Sequence, residues 1–184
     1  EDNLRSIAQC LHKDIDDLMV FVLDKPRHAE LIEEIRRAGA RIQLHTDGDV
    51  AGALMAVDPT SDVDVLMGTG GTPEGVLSAC AIKAMGGEML ARLDPQKEAE
   101  KKALMEQGAD VNRVYTTQDL IDDDDVFFAA TGISGGTFLP GVRYSGAGAT
   151  TSSLVMRGRT GTVRRIESAH TWNKLMRFSA VDYD

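Results

Sequence analysis

The chain has 184 residues, 42% of them hydrophobic, which fits one globular unit with a real core. Its 29 acidic and 20 basic side chains leave a formal net charge of -9, with a pI near 4.9. That excludes a general nucleic-acid or anionic-membrane binder, which needs a basic face, and no apolar run approaches a membrane span.

In chain order, residues 3–11 place Leu4, Ile7, Ala8 and Leu11 on one helical face. The run "LMVFVL" (18–23) reads as a strand buried on both faces. "DKPRH" then turns the chain, with Pro26 suited to the first turn of a helix that carries Leu31, Ile32 and Ile35 and closes at Gly39. Residues 41–45 form a second strand, followed by the turn "TDGD" and a small-residue helix over 50–56. A third strand spans 63–67. The loop "GTGGTPEGV" follows, and then a helix over 76–85. Residues 88–93 are a strand candidate, 94–107 a charged surface helix, and "YTTQDLIDDDD" a short capped helix with an acidic turn. Asp122–Asp125 read as a solvated turn rather than a metal cluster, since no histidine or spaced acid accompanies them. A strand follows over 126–131, and from Phe138 onward apolar and polar residues alternate between glycine-rich turns, the pattern of antiparallel hairpins.

The strand–helix alternation of residues 1–130 predicts an α/β fold with a largely parallel sheet, to which the C-terminal end adds antiparallel strands. No repeat or linker divides the chain, so residues 1–184 read as a single unit. Cys10 and Cys80 stand at no metal-ligand spacing and read as free thiols of a reducing, cytoplasmic compartment, one disulfide being the alternative. Nothing at the N-terminus has the pattern of a signal peptide, and the start at Glu1, without methionine, points to a trimmed or truncated product.

Three segments, "DKPRH", "TDGDV" and "GTGGTPEGV", each follow a strand and precede a helix. In an open α/β sheet such loops share the carboxyl edge, where ligands bind. Lys25 and Arg27 flank Pro26 on a stiff turn and suit a phosphate, Arg as a fork and Lys as a point charge. Read as plain solvated residues they would sit against the dipole of a helix N-terminus. Asp47 and Asp49 bracket Gly48. Asp49 can serve as a helix cap, which leaves a second acid for sugar hydroxyls or a hard divalent cation. The glycines let backbone approach a ligand, and the N–H groups of the next helix favour phosphate. Glu74 stands in the first turn of that helix, where an acid also satisfies the dipole with no further role. The loop is neither a Walker A motif nor a full GxGxxG fingerprint, because Pro73 occupies the place of the third glycine. Acids beside a phosphate repel it unless a divalent metal lies between, so a sugar phosphate with Mg²⁺ or Mn²⁺ reconciles the set. His12, His28, His45 and His170 show no zincin spacing and there is no GxSxG elbow. A metal-activated water is the economical nucleophile.

The strings "DKPRH", "TDGDVAGAL", "GTGGTPEGV", "FFAATGISGG", "GVRY" and "TGTVRRIESAH", in this order and at these distances, resemble the class II fructose-1,6-bisphosphatases, the GlpX family, including relatives that take sedoheptulose 1,7-bisphosphate. The resemblance covers nearly the whole chain. It implies hydrolysis of the 1-phosphate of fructose 1,6-bisphosphate in gluconeogenesis, Mn²⁺ or Mg²⁺ as cofactor, and a layered mixed sheet flanked by helices, the lithium-sensitive sugar-phosphatase fold. Carried over residue by residue, Glu74 becomes a metal ligand, and Lys25, Pro26, Arg27, Asp47, Gly48, Asp49 and Gly71 contact the sugar bisphosphate. Members of the family are nearly twice as long. Their other metal-binding acids and the residues that position water lie in an N-terminal half without counterpart here. The resemblance thus implies a C-terminal half, inactive alone, whose partners are the substrate, its own N-terminal half and further copies in a homo-oligomer. The competing readings are a non-catalytic sugar-phosphate-binding module and an inositol-monophosphatase-like enzyme. Lys25 and Arg27 speak against the latter, because extra cations suit a second phosphate.

Overall fold

The computed structural model describes residues 1–178. Its elements in chain order are α1 (Asp2–Leu11), β1 (Met19–Leu23), α2 (Ala29–Ala38), β2 (Arg41–His45), α3 (Asp49–Val57), β3 (Val65–Leu66), α4 (Thr72–Met85), β4 (Leu90–Arg92), α5 (Glu98–Glu106), β5 (Val114–Thr116), α6 (Thr117–Leu120), β6 (Phe127–Thr131), β7 (Arg143–Ser145), β8 (Gly148–Arg157), β9 (Thr162–Thr171) and α7 (Trp172–Leu175). The fold is mixed α/β, with parallel and antiparallel sheets flanked by helices.

β1 is the axis of the N-terminal part. Strand alternation sends Leu18, Val20 and Val22 to one face, against Leu4 and Ala8 of α1 and Ile32 and Ile35 of α2. Phe21 and Leu23 face the other way, against Met55 of α3 and Val63. As the continuous apolar run suggests, both faces are covered. Each such buried Val, Leu or Phe contributes roughly 1.5–3 kcal/mol.

The parallel sheet has the order β2-β1-β3, with Val20 opposite both Ile42 and Val65. The chain leaves the central strand to one side through α2 and returns to the other side through α3. This reversal is the topological switch point of a doubly wound sheet, and its crevice opens at the carboxyl ends of β1 and β3.

α3 and α4 form the next layer. Leu54, Ala81 and Ala84 pack on Phe128, Leu154 and Met156 of the antiparallel sheet. There β8 is central, with β6 and β7 on one flank and β9 paired along the full length of the other, from Gly148–Thr171 to Arg157–Thr162. Alternating helix and sheet layers result.

The expectation of one largely parallel sheet through residue 130 is corrected: it has three strands. β4 and β5 make a separate antiparallel pair, and β6 joins the antiparallel sheet. The reason is non-local. Phe128 is registered opposite Met156, so the alternating pattern of β8 recruits β6. The third strand shrinks to two residues, and β5 lies where the sequence reading had only a capped helix. That cap is present, as Thr116 and Asp119 form a capping box on α6. The Thr117 backbone N–H and hydroxyl both donate to Glu88, holding its carboxyl below the usual carboxylate range and joining the ends of β4 and β5. α4 begins at Thr72 rather than residue 76, because Pro73 needs no N–H partner in a first turn and Gly71 takes the extended N-cap conformation.

Gly39 closes α2 with a φ of 94°, as expected. The acidic turn is solvated and ion-paired, Asp124 with Lys83 at 3.1 Å and Asp125 with Arg157 at 3.0 Å. Cys10 and Cys80 are free thiols. Among the described residues no helix is long and apolar enough to cross a membrane.

Candidate functional site

Three loops meet at the carboxyl edge of the parallel sheet: residues 24–28 after β1, 46–48 after β2 and 67–71 after β3. Side chains tie them together. Lys25 Nζ donates to Asp47 Oδ1 at 3.1 Å, joining the first loop to the second. Arg27 Nε donates to the Thr69 carbonyl at 2.7 Å, joining the first loop to the third. Among the described residues the rest of the Arg27 guanidinium makes no hydrogen bond, so one N–H fixes the fork while the others face solvent.

Pro26 opens the short 3₁₀ turn Pro26–His28, with Lys25 extended before it. The proline ring fixes φ here, which holds Lys25 and Arg27 on either side of a stiff turn. Both Pro26 and Arg27 are exposed, Lys25 half-buried, and the Asp47 side chain is 85% exposed.

Asp49 is not the helix cap that it could have been. Gly48, with φ at 95°, takes the N-cap position itself and moves Asp49 into the first turn of α3. There Asp49 Oδ1 accepts the N–H of Val50 at 2.9 Å. Its other oxygen faces the glycine loop, 3.4 Å from where a Cβ on Gly70 would stand. Asp49 therefore lies between the second and third loops.

Gly71 is the N-cap of α4 and Glu74 sits in that helix's first turn. The two are coupled: the Glu74 carboxylate folds back over the loop into the space a Cβ on Gly71 would take, so any larger residue there would move it. Glu74 is exposed, and among the described residues its carboxylate makes no hydrogen bond. As one ligand for a divalent cation it fits: an unspent carboxylate aimed over a backbone cradle. It is not a full ligand set. Among the described residues, the group of acids whose ligand atoms converge is Asp14, Asp16 and Asp17, which precede β1 and stand at the opposite end of the sheet.

Thr69 was missed by sequence reasoning, and all its polar groups are engaged. Its N–H donates to His28 Nε2 at 2.8 Å, its carbonyl accepts from Arg27, and its hydroxyl donates to Asp94 Oδ2 at 2.9 Å. Asp94 comes from the segment after β4 and is braced by Gln96. His28 was visible in "DKPRH" but passed over for lacking metal-ligand spacing. No sequence signal marks a backbone N–H such as that of Thr69.

The chemistry this edge supports is recognition of a polyol carrying phosphate. It has two cations on a stiff turn, two carboxylates beside them, open backbone at a helix N-terminus, and one carboxylate suited to a hard metal.

Comparison with known proteins agrees in kind. The family model for bacterial, glpX-encoded fructose-1,6-bisphosphatases matches residues 1–170. A Haemophilus influenzae protein named fructose-1,6-bisphosphatase class 2 is 43% identical over 183 residues, covering 92% of this chain and 55% of that protein. An Acaryochloris marina protein named D-fructose 1,6-bisphosphatase class 2/sedoheptulose 1,7-bisphosphatase 2 is 42% identical, covering 92% of this chain and 52% of its own length. A Trichodesmium erythraeum protein named D-fructose 1,6-bisphosphatase class 2/sedoheptulose 1,7-bisphosphatase is 39% identical, covering 94% and 54% respectively. The chain spans about half the length of these relatives.

Proposed function

Because the chain belongs to the bacterial, glpX-encoded fructose-1,6-bisphosphatase family, we propose that it forms the substrate-gripping part of a metal-dependent phosphatase acting on the 1-phosphate of fructose 1,6-bisphosphate. The observation that carries this reading is the convergence of three loops at the switch point, tied by Lys25–Asp47 and Arg27–Thr69.

Arg27 and Lys25 take phosphate oxygens. A phosphate that draws Lys25 away from Asp47 frees that carboxylate, and Asp47 and Asp49 then accept from sugar hydroxyls. Gly48 lets the second loop turn between them, and the backbone at Gly71 approaches the substrate. Glu74 gives one ligand to Mn²⁺ or Mg²⁺. When bound, such a metal neutralises phosphate charge and lowers the pKa of a water. In the overall reaction the water oxygen bonds to phosphorus, the bond from phosphorus to the C1 oxygen breaks, and fructose 6-phosphate leaves with a proton. This chain holds and orients the substrate. The acid–base groups and the remaining metal ligands belong to the part of the relatives that it does not match. With this reading go the lithium-sensitive sugar-phosphatase fold, residues 1–184 as a single unit, a cytoplasmic location and a homo-oligomer. The seven-carbon sedoheptulose 1,7-bisphosphate is a second candidate substrate, on the names of two relatives.

The test is phosphate release from fructose 1,6-bisphosphate by the chain joined to an N-terminal half from the family, with and without Mn²⁺. Metal-dependent release of one phosphate per sugar supports the reading. Tight bisphosphate binding without turnover in any such complex refutes it.

A further inference from the structure

His28 has no part in the grip just described, yet it is buried, 2% exposed, directly beneath it. Its two ring nitrogens serve two different elements. Nδ1 lies 2.8 Å from the carbonyl of Leu23, the last residue of β1. Nε2 lies 2.8 Å from the backbone nitrogen of Thr69 in the glycine loop. A carbonyl only accepts and a backbone amide only donates, so both bonds require the neutral ring with its proton on Nδ1. The Thr69 carbonyl, 3.1 Å from Nε2, is then served by Arg27 instead. Ring and loop also touch directly: a Cβ on Gly68 would stand 3.0 Å from the ring carbon Cε1, so a larger residue there would press on the buried ring.

We propose that His28 is a positioning residue for the site, a neutral imidazole that pins Thr69 to the end of β1 and thereby sets where Gly71 and Glu74 stand. Thr69 is two residues from the N-cap of α4, and nothing but Gly70 and Gly71 separates it from the helix that carries Glu74. Displacement at Thr69 therefore passes into the first turn. The consequence for substrate binding rests on the sugar-bisphosphatase reading; the pinning itself does not.

Two conservative variants separate the two ring nitrogens. A glutamine oxygen lies as many bonds from Cβ as Nε2 does, and can still accept the Thr69 N–H. An asparagine amide reaches only as far as Nδ1, and can serve only Leu23. Nitrogen NMR on the full 184-residue chain is expected to show His28 Nε2 unprotonated and coupled through the hydrogen bond to the Thr69 amide. His28→Asn is expected to speed exchange of the Thr69 amide about tenfold, shift the amide signals of residues 70–74 and weaken fructose 1,6-bisphosphate binding about tenfold, whereas His28→Gln stays within about twofold on each.

A protonated Nε2, or asparagine and glutamine variants that behave alike, overturns the proposal. So does a loosened loop that leaves bisphosphate affinity unchanged. If the wild-type chain fails to bind the bisphosphate while the loop signals follow the expected pattern, the positioning role stands and the sugar-bisphosphatase reading falls. If the asparagine variant does not fold, the wild-type coupling decides alone.

Discussion

Arg165, in β9, donates from Nη2 to Asp58 Oδ2 at 2.5 Å, joining the antiparallel sheet to the end of α3 across 107 positions of sequence. Asp58 is buried, and Thr60 donates to its other oxygen from both N–H and hydroxyl. Burial alone pushes this carboxyl up. The Thr60 bonds and the Arg165 guanidinium outweigh it and hold the group below its ordinary value near 3.8. A depressed carboxyl contributes stability that is full above the unfolded value and lost as pH falls toward the folded one. The urea midpoint is therefore expected to drop as pH is lowered from about 5 to about 3, and Asp58→Asn to flatten that drop while costing about 1.5–3 kcal/mol at neutral pH. An unchanged pH profile in the variant would show that another carboxylate governs acid sensitivity.

Glu74→Gln keeps shape and removes charge at an exposed position. Metal-dependent phosphate release by the complete enzyme is expected to fall about 10²-fold or more, with the melting temperature unchanged, since a lost charge contact to the metal removes several kcal/mol of transition-state stabilisation. Gly71→Ala is expected to act on the same carboxylate indirectly, since the new methyl group takes the space of Oε2. The metal concentration for half-maximal activity should rise about tenfold, as for other residues that orient a ligand.

Arg27→Lys conserves charge but loses the fork and the Nε bond to Thr69. Bisphosphate affinity, measured by calorimetry, is expected to weaken about 10–100-fold, the scale of one or two charge-assisted bonds. Lys25→Arg keeps a cation able to reach Asp47 and should weaken it less. No loss from either change would argue that charge alone is read.

The 184-residue chain alone is expected to show no turnover with Mn²⁺, because Glu74 is the carboxylate it offers to a catalytic metal at this edge. Turnover by the isolated polypeptide near that of a full-length enzyme would sink the half-site reading.

Much of this could be read from the residues. The run 18–23 announced a doubly covered strand because every position in it from Leu18 to Leu23 is apolar. α2 closed at Gly39, and the short capped helix read in "YTTQDLIDDDD" formed as α6. The three loops fell on one edge because parallel strands leave no other place for them. What escaped was long-range or carried by backbone. The partner of β6 depends on a register with residues 153–157, which local alternation cannot name. Asp94 reaches Thr69 from 25 positions away. His28 looked inert because its work is done on a carbonyl and an amide, groups every residue has. Gly48 took the cap from Asp49 by its own left-handed turn, a choice between two good capping residues that spacing does not settle.

β9 runs for ten residues at the margin of the antiparallel sheet. Among the described residues it pairs only with β8, so ten residues of backbone line an outer rim able to template a foreign strand. Its sequence carries Arg164, Arg165 and Glu167, and charges along such a rim make a stray chain a poor fit. Arg165, which clasps the antiparallel sheet to the end of α3, is one of these charges, so replacing it with an apolar residue is expected to loosen the clasp and strip the rim of a charge at once.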